Sequence, residues 1–326
     1  MSKKTLTIET PIMPATMAGQ VGVLALANED RFSASHYSEA MTEFGIGVLG
    51  TDLAALQAEL DLIAPPVRSP RKSEYKKKAE SLAFLADGDD ERAIGASFRK
   101  VNDKSETVLF KVPNRGLSYT LDRDEMMDGD IEQKTKVLMS ILLRNAKLRA
   151  INLIDAAATN QAVSFKSTTD PDALIEAALL LAHGARGLYP NQAISGLTAW
   201  SYRKNAYRSS DKNGAMVLGS MTQEEVASVL ALDRFQVSKD VYKASKKGAK
   251  AEFLSNLIYA YYVDPIADKD DASNVKRFYT PCEGGEMFRV YVDDSQVKTV
   301  EVIVECYSLE AVTDSTGIRK LTVSNT

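Results

Sequence analysis

Only two of the 326 residues are cysteine, Cys282 and Cys306, and only two are histidine, His36 and His183. Thiols so far apart make neither a CxxC redox or zinc pattern nor a disulfide framework, so a reducing cytoplasm is the expected setting. Two histidines are too few for most metal sites. No apolar run approaches the roughly 20 residues of a bilayer span. The mildly apolar stretch 21–27 behind Lys3 and Lys4 lacks the longer apolar centre and small-residue cleavage site of a secretory signal. The chain is therefore expected to be soluble, not exported and without a membrane partner. A net charge of −4 excludes a global basic field, so contact with a polyanion has to come from local patches. Also missing are G-x-x-x-x-G-K followed by Ser or Thr, H-E-x-x-H and G-x-S-x-G. No catalytic, cofactor-binding or metal residue is assigned, no cofactor is expected, and the chain is not read as an enzyme.

The chain does have 44% hydrophobic residues, ample for a packed core, and its length suggests one large or two modest domains; the helix and strand signals that follow are of mixed α+β type. Residues 1–80 differ from the rest: Pro11 and Pro14 break the start and glycines punctuate 19–50. A short amphipathic piece follows, with Leu53, Leu56, Leu60 and Ile63 at helical offsets, stopped by Pro65 and Pro66. Arg68, Arg71, Lys72, Lys76, Lys77 and Lys78 then stand against the single acid Glu74. Residue types alone favour a solvated linker here; the sharper alternative is phosphate contact. Ile94, Ala96 and Phe98 alternate with polar neighbours, as do Val108, Phe110 and Val112, which predicts a β-hairpin across the polar turn 102–106. Pro113-Asn114-Arg115-Gly116 reads as a turn and 117–121 as a short extended run.

A long helix is predicted from Asp130, its N-cap, to about Thr159, with Ile131, Leu138, Ile141, Leu142, Leu148, Ile151 and Ile154 on one face. Asp170-Pro171 starts a second helix whose buried side is expected to hold Leu174, Ala177, Ala178 and Leu181, with Gly184 and Gly187 ending it. His183 lies inside it, where a hydrogen-bonded structural histidine is expected. Thr222 and Glu225 fit a capping box. Phe235–Val237 and 257–263 read as buried strands, 289–292 and 297–309 as strands, and Leu321 to Val323 as an edge. Asp122, Asp124, Glu125, Asp128 and Asp130 lack the EF-hand spacing and read as acid enrichment before a helix. Asp264, Asp268, Asp270 and Asp271 read as a solvated loop. Lys243, Lys246, Lys247 and Lys250 form a basic run without aromatics, so base stacking is not indicated.

In order, these elements resemble the major capsid proteins of tailed double-stranded-DNA phages, which have the Hong Kong 97-like shell fold. Phe110-Lys111-Val112-Pro113-Asn114-Arg115-Gly116-Leu117-Ser118 with Leu121-Asp122-Arg123-Asp124-Glu125 is similar to the passage from extended loop into spine helix. Leu143-Arg144-Asn145-Ala146-Lys147-Leu148-Arg149-Ala150 resembles the middle of that helix, and Gly187-Leu188-Tyr189-Pro190-Asn191 before Trp200 resembles the approach to the axial domain. Gly317-Ile318-Arg319-Lys320-Leu321 is similar to the closing segment. The resemblance implies an N-terminal arm over 1–92, an extended β-hairpin loop over 93–121, and a peripheral domain with the spine helix over 122–190. It further implies an axial domain over 191–294 and C-terminal strands returning to the peripheral domain over 295–326.

The implied role is self-assembly into hexamers and pentamers of an icosahedral shell in the virion, put together in the host cytoplasm. Phe98, Lys100, Lys104, Phe110 and Arg115 are the implied inter-subunit residues of the extended loop. The run from Arg68 to Lys78 is the candidate DNA-facing surface, touching packaged double-stranded DNA weakly and without sequence preference. Candidate partners are a separate scaffolding protein, a portal and a decoration protein. Some relatives weld the loop through a lysine–asparagine isopeptide bond; Lys100, Lys104 and Lys111 lie in that region, and no such bond is expected here. The alternatives are an encapsulin-type nanocompartment shell and, from another class, a cytoplasmic α/β enzyme or ligand-binding protein, which needs a pocket of convergent polar groups.

Overall fold

A computed structural model of the chain describes residues 37–51, 53–77, 106–211, 214–245, 247–282 and 287–325. Two helices come first, α1 (Glu39–Thr51) and α2 (Ala54–Ile63). Helix α2 buries Leu56, Leu60 and Ile63 at the predicted offsets. Helix α1 was not legible, because its glycines dilute the apolar pattern. One of them, Gly45, is where the long helix crosses: a Cβ there would overlap Met139 Cε. Part of the expected arm is thus packed into the body of the protein.

After Pro65 come β1 (Pro66–Arg68), β2 (Lys72–Lys76), β3 (Thr107–Lys111) and β4 (Asn114–Asp122). Val108 and Phe110, in the second strand of the predicted hairpin, pair antiparallel with Tyr75 and Ser73 of β2. The predicted first strand, 94–98, lies outside the described residues. The basic run is therefore largely a β-strand rather than a linker, its Lys and Tyr alternating across the ladder. The turn predicted at 113–116 begins a strand instead, with Asn114, Arg115 and Gly116 opposite Tyr307, Cys306 and Glu305.

Helix α3 (Asp130–Ala157) has 28 residues, about 42 Å at 1.5 Å per residue. Gly129, in the left-handed region at φ 90, precedes it. Asp130 accepts from Met127 N at 2.8 Å instead of capping the helix. Leu138, Leu142, Ile151 and Ile154 are buried as predicted, whereas Ile141 is exposed. Next come β5 (Thr159–Ser164), α4 (Pro171–Arg186), β6 (Gln192–Gly196), α5 (Leu197–Arg208), α6 (Ala215–Ser220), α7 (Gln223–Val229) and β7 (Arg234–Ser238). The rest is strand: β8 (Val241–Lys243), β9 (Lys250–Glu252), β10 (Leu257–Tyr261), β11 (Val275–Thr280), β12 (Phe288–Asp293), β13 (Thr299–Val312) and β14 (Arg319–Ser324).

The strands form two five-stranded sheets and two ladders. In the first sheet β13 is the axis: β4 lies along one side, and β12 and β11 follow one another along the other, with β1 outside β11. Alternate residues Val302, Val304 and Cys306 point into one core with Leu138, Met139, Leu142 and Leu143 of α3. The second sheet runs β5-β14-β10-β6-β7, with α4, α5 and α7 supplying its second core.

Strand β10 joins the two cores. Tyr259 and Tyr261 belong to the core around α3, while Ile258 and Ala260 belong to the other. A strand buried on both faces reads as an unbroken apolar run, which is how 257–263 appears in the sequence. β11 and β12, within the segment 191–294 assigned to the axial domain, pair in the first sheet, and β14 pairs with β5 of the segment 122–190. It lies inside the second sheet between β5 and β10 and is no edge. Helix α4 is also rotated from the predicted face. Ile175, Ala178, Leu179 and Ala182 are buried, whereas Leu181 is 55% exposed. Apolar residues surround this helix almost completely, so periodicity alone cannot select its buried side.

Candidate assembly surfaces and the ion pairs behind them

The β2–β3 ladder stands on the outer face of the first sheet. Phe110 stacks on Phe278 at 4.3 Å and Tyr75 on Phe278 at 5.8 Å, around fully buried Val112 and Val67. Phe110 is thus committed within its own chain. The residue of β3 that points away is Leu109, 78% exposed and opposite Glu74. Sequence alternation identified both the strand and its apolar face, Val108, Phe110 and Val112, which packs on Tyr75 and Phe278 of the same chain. Arg115 Nε donates to Ser308 O at 3.2 Å. Phe98, Lys100, Lys104 and Lys78 lie outside the described residues.

Of the candidate DNA-facing residues, Arg68, Arg71, Lys72, Lys76 and Lys77 are exposed. They are not equally free. Arg71 lies 4.9 Å over the Tyr307 ring, Lys77 pairs with Glu106 at 3.1 Å, and Lys76 N donates to Asp270 Oδ1 at 2.7 Å. His183, expected to be a hydrogen-bonded structural residue, is exposed, its ring 6.2 Å from that of Tyr189.

Behind these surfaces the charged groups are paired. Lys147, fully buried on α3, donates from Nζ to Glu59 (2.5 Å), Asp240 (2.8 Å) and Ser238 (3.1 Å). It therefore ties α2, α3 and the end of β7 together. A lysine four residues after Leu143 and four before Ile151, on the buried stripe of a helix, was the sequence signal for it. Arg203 of α5 grips Asp172 of α4 with two 2.7 Å bonds, between the rings of Trp200 and Tyr207 at 5.1 Å each. Tyr207 Oη donates to Asp170 at 2.6 Å, and Asp170 caps α4 through the N–H groups of Asp172 and Ala173. Burial first, and then this bond to a carboxylate, push the Tyr207 hydroxyl far above its ordinary range.

Arg277 reaches Asp61 at 2.6 Å, yet burial outweighs the arginine and raises the Asp61 carboxyl. For Asp271 the balance is reversed. Burial raises it, but bonds from Ser273, Asp268 and Lys276 together hold it below its ordinary value. Its side chain is 5% exposed and 3.0 Å from Lys276, so one member of the predicted solvated loop is buried and paired. Burial likewise pulls the Lys276 ammonium down, against the carboxylates facing it.

These pairs are cross-braces. Each charge is consumed by its partner, and none combines with a nucleophile in a cavity. Among the described residues no group of three or more His, Cys, Asp or Glu could hold a metal ion, and no helix is long and apolar enough to cross a membrane. The groove along β4 and β13, about 340 Å³, is open and lined by Asn114, Gly116, Leu117, Ser118, Glu301, Ile303 and Glu305. Cys306 is buried, which pushes its thiol up to about 11, the wrong direction for a nucleophile. Large apolar side chains, by contrast, are exposed: Leu180 and Leu181 on α4, Met216 and Val217 on α6, Met127 before α3, and Val297. Side chains of this kind commonly mark contact surfaces when they cluster.

No family model matches the chain, and neither does any curated protein. Solved structures do match. A phage-related protein from Bordetella bronchiseptica superposes with a TM-score of 0.63 at 12% identity, over 87% of this chain and 96% of that one. The capsid structure of cyanophage P-SCSP1u matches with a TM-score of 0.50 at 10% identity, over 81% of this chain and 87% of that one. At such identities the likeness is one of fold: this α+β chain, with its long helix strapped between two sheets, has the Hong Kong 97-like fold of tailed-phage capsid proteins.

Proposed function

We propose that the chain is a major capsid protein, copies of which assemble into the hexamers and pentamers of an icosahedral shell around packaged double-stranded DNA. The observation that carries this reading is the architecture, whose likeness to the Bordetella phage-related protein extends over 87% of the chain. Two further features support it. The charged interior is spent on cross-bracing, as a mechanical subunit requires, and the β2–β3 ladder, packed on the outer face of the first sheet through Tyr75 and Phe110, turns Leu109 outward. A neighbouring subunit that covers Leu109 removes that apolar surface from water.

In this proposal residues 1–92 supply the N-terminal arm and 93–121 the extended loop, which lies over a neighbour without a covalent lysine–asparagine link. Residues 122–190 with the C-terminal strands of 295–326 make the peripheral domain, and 191–294 the axial domain. The shell is built in the host cytoplasm with a separate scaffolding protein, a portal and, in the finished virion, a decoration protein. Negative-stain microscopy with mass in solution tests the proposal. Rings, tubes or closed shells are expected, with a single subunit mass and no ladder on denaturing gels. A monomer that stays unassembled with and without a scaffolding partner would overturn it.

A further inference from the structure

Between Lys239 and Glu252 the sequence carries five lysines, Lys239, Lys243, Lys246, Lys247 and Lys250, against two acids. Neither acid pairs with these lysines among the described residues. Asp240 turns inward to Lys147 at 2.8 Å, and Glu252 accepts from Thr198 Oγ1 at 3.2 Å. Lys239, Lys243, Lys247 and Lys250 are all exposed, and none of the four enters an ion pair among the described residues; Lys246 lies outside them. In the β8–β9 hairpin Lys243 and Lys250 are directly opposite one another. Like charges directly opposite are destabilising, and a hairpin of three residues a side has little stability to spare.

This hairpin is nevertheless firmly based. On its other face Tyr242 packs on Phe253 at 4.8 Å, and its root is anchored through Asp240 to the buried Lys147. The result is a protrusion on which four exposed lysines stand against the one exposed acid Glu252, none of the four in an ion pair among the described residues. The run around β2 differs: there Glu74, Glu106 and Asp270 interleave with the lysines.

We infer that the β8–β9 hairpin binds the phosphate backbone of double-stranded nucleic acid without reading sequence. The hairpin tip has no aromatic side chain to stack on bases, so phosphate is the group it can recognise. The inference rests on the charge of this site alone and stands whether or not the chain builds a shell. It is tested on unassembled protein by fluorescence anisotropy with a short labelled duplex, titrated over a range of salt. The triple variant Lys243→Gln, Lys247→Gln and Lys250→Gln is compared with Arg68→Gln and Lys72→Gln together.

Each phosphate contact contributes roughly 0.9 to the slope of log K against log salt, so losing three makes the slope shallower by about 2.7. The ratio of affinities at 50 and 200 mM salt should then shrink roughly 40-fold, with the Arg68 and Lys72 variant close to the parent. The substituted residues are exposed, and an unchanged thermal transition confirms that the variants fold. Absence of duplex binding by the parent, an unchanged slope in the triple variant, or an equal loss in the comparison variant overturns the inference. So does a triple variant that keeps its affinity for duplex but fails to assemble, because the hairpin's partner is then another protein surface.

Discussion

Replacing Lys147 with Met tests the cross-bracing directly. The change keeps the length of the side chain and its packing near Phe253, whose ring centroid lies 4.7 Å from the ammonium. What it removes is the positive charge between two carboxylates. Glu59 is only 13% exposed, so its charge stays buried with Ser238 as a remaining donor at 2.8 Å. Asp240 is 33% exposed and largely screened by water. Breaking a buried pair by deleting one partner costs about 3–5 kcal/mol. At about 2.1 cal/mol/K per residue, that is a fall of roughly 4–7 °C in Tm for a chain of this length. The assay is denaturant unfolding of the unassembled protein beside Glu59→Gln and the double variant. Removing the stranded carboxylate should recover a large share of the loss, a coupling of about 1–3 kcal/mol. A Lys147→Met cost below about 1 kcal/mol, the range of exposed pairs, would refute the view that this lysine holds α2, α3 and β7 together.

Gly196→Ala should prevent stable folding of the second sheet, because a Cβ there would overlap the Ser255 carbonyl, with the backbone of Leu254 also within 2.8 Å. Soluble yield and near-ultraviolet dichroism report it, and Gly184→Ala, with open space around its Cβ, should instead gain about 0.5–1 kcal/mol. Acid titration of stability separates Asp271 from Asp61. The depressed Asp271 carboxyl contributes stability that is present above the ordinary carboxylate range and lost as pH falls through its folded value. The raised Asp61 carboxyl acts with the opposite sign, weakening the fold as pH rises through that range. Asp271→Asn should therefore flatten the acid limb and Asp61→Asn steepen it; like slopes for both would contradict the assignment. Cys306, its thiol pushed up to about 11 by burial, should resist a thiol reagent at neutral pH in a Cys282→Ser background until the protein unfolds.

Local chemistry was readable without the fold. The length of α3 follows from an uninterrupted apolar period, the start of α4 from Asp170-Pro171, and the start of α7 from Thr222 and Glu225, whose reciprocal bonds are present. The order of these elements was enough to point to the Hong Kong 97-like fold, because order along the chain is a one-dimensional property. Whatever required two distant segments to meet was decided by tertiary structure. Strand β3 pairs with β2 across the intervening chain, and alternation marks a strand but does not name its partner. Strand β14 reads like an edge, but it is central because β5 and β10 both reach it. The exposed side of α4, the outward turn of Leu109 and the inward turn of Asp240 depend on which surfaces lie opposite. The lysines of β8 and β9 show the division most plainly: the sequence contains the cations, and only the packing of Asp240 on Lys147 takes the nearest acid away from them.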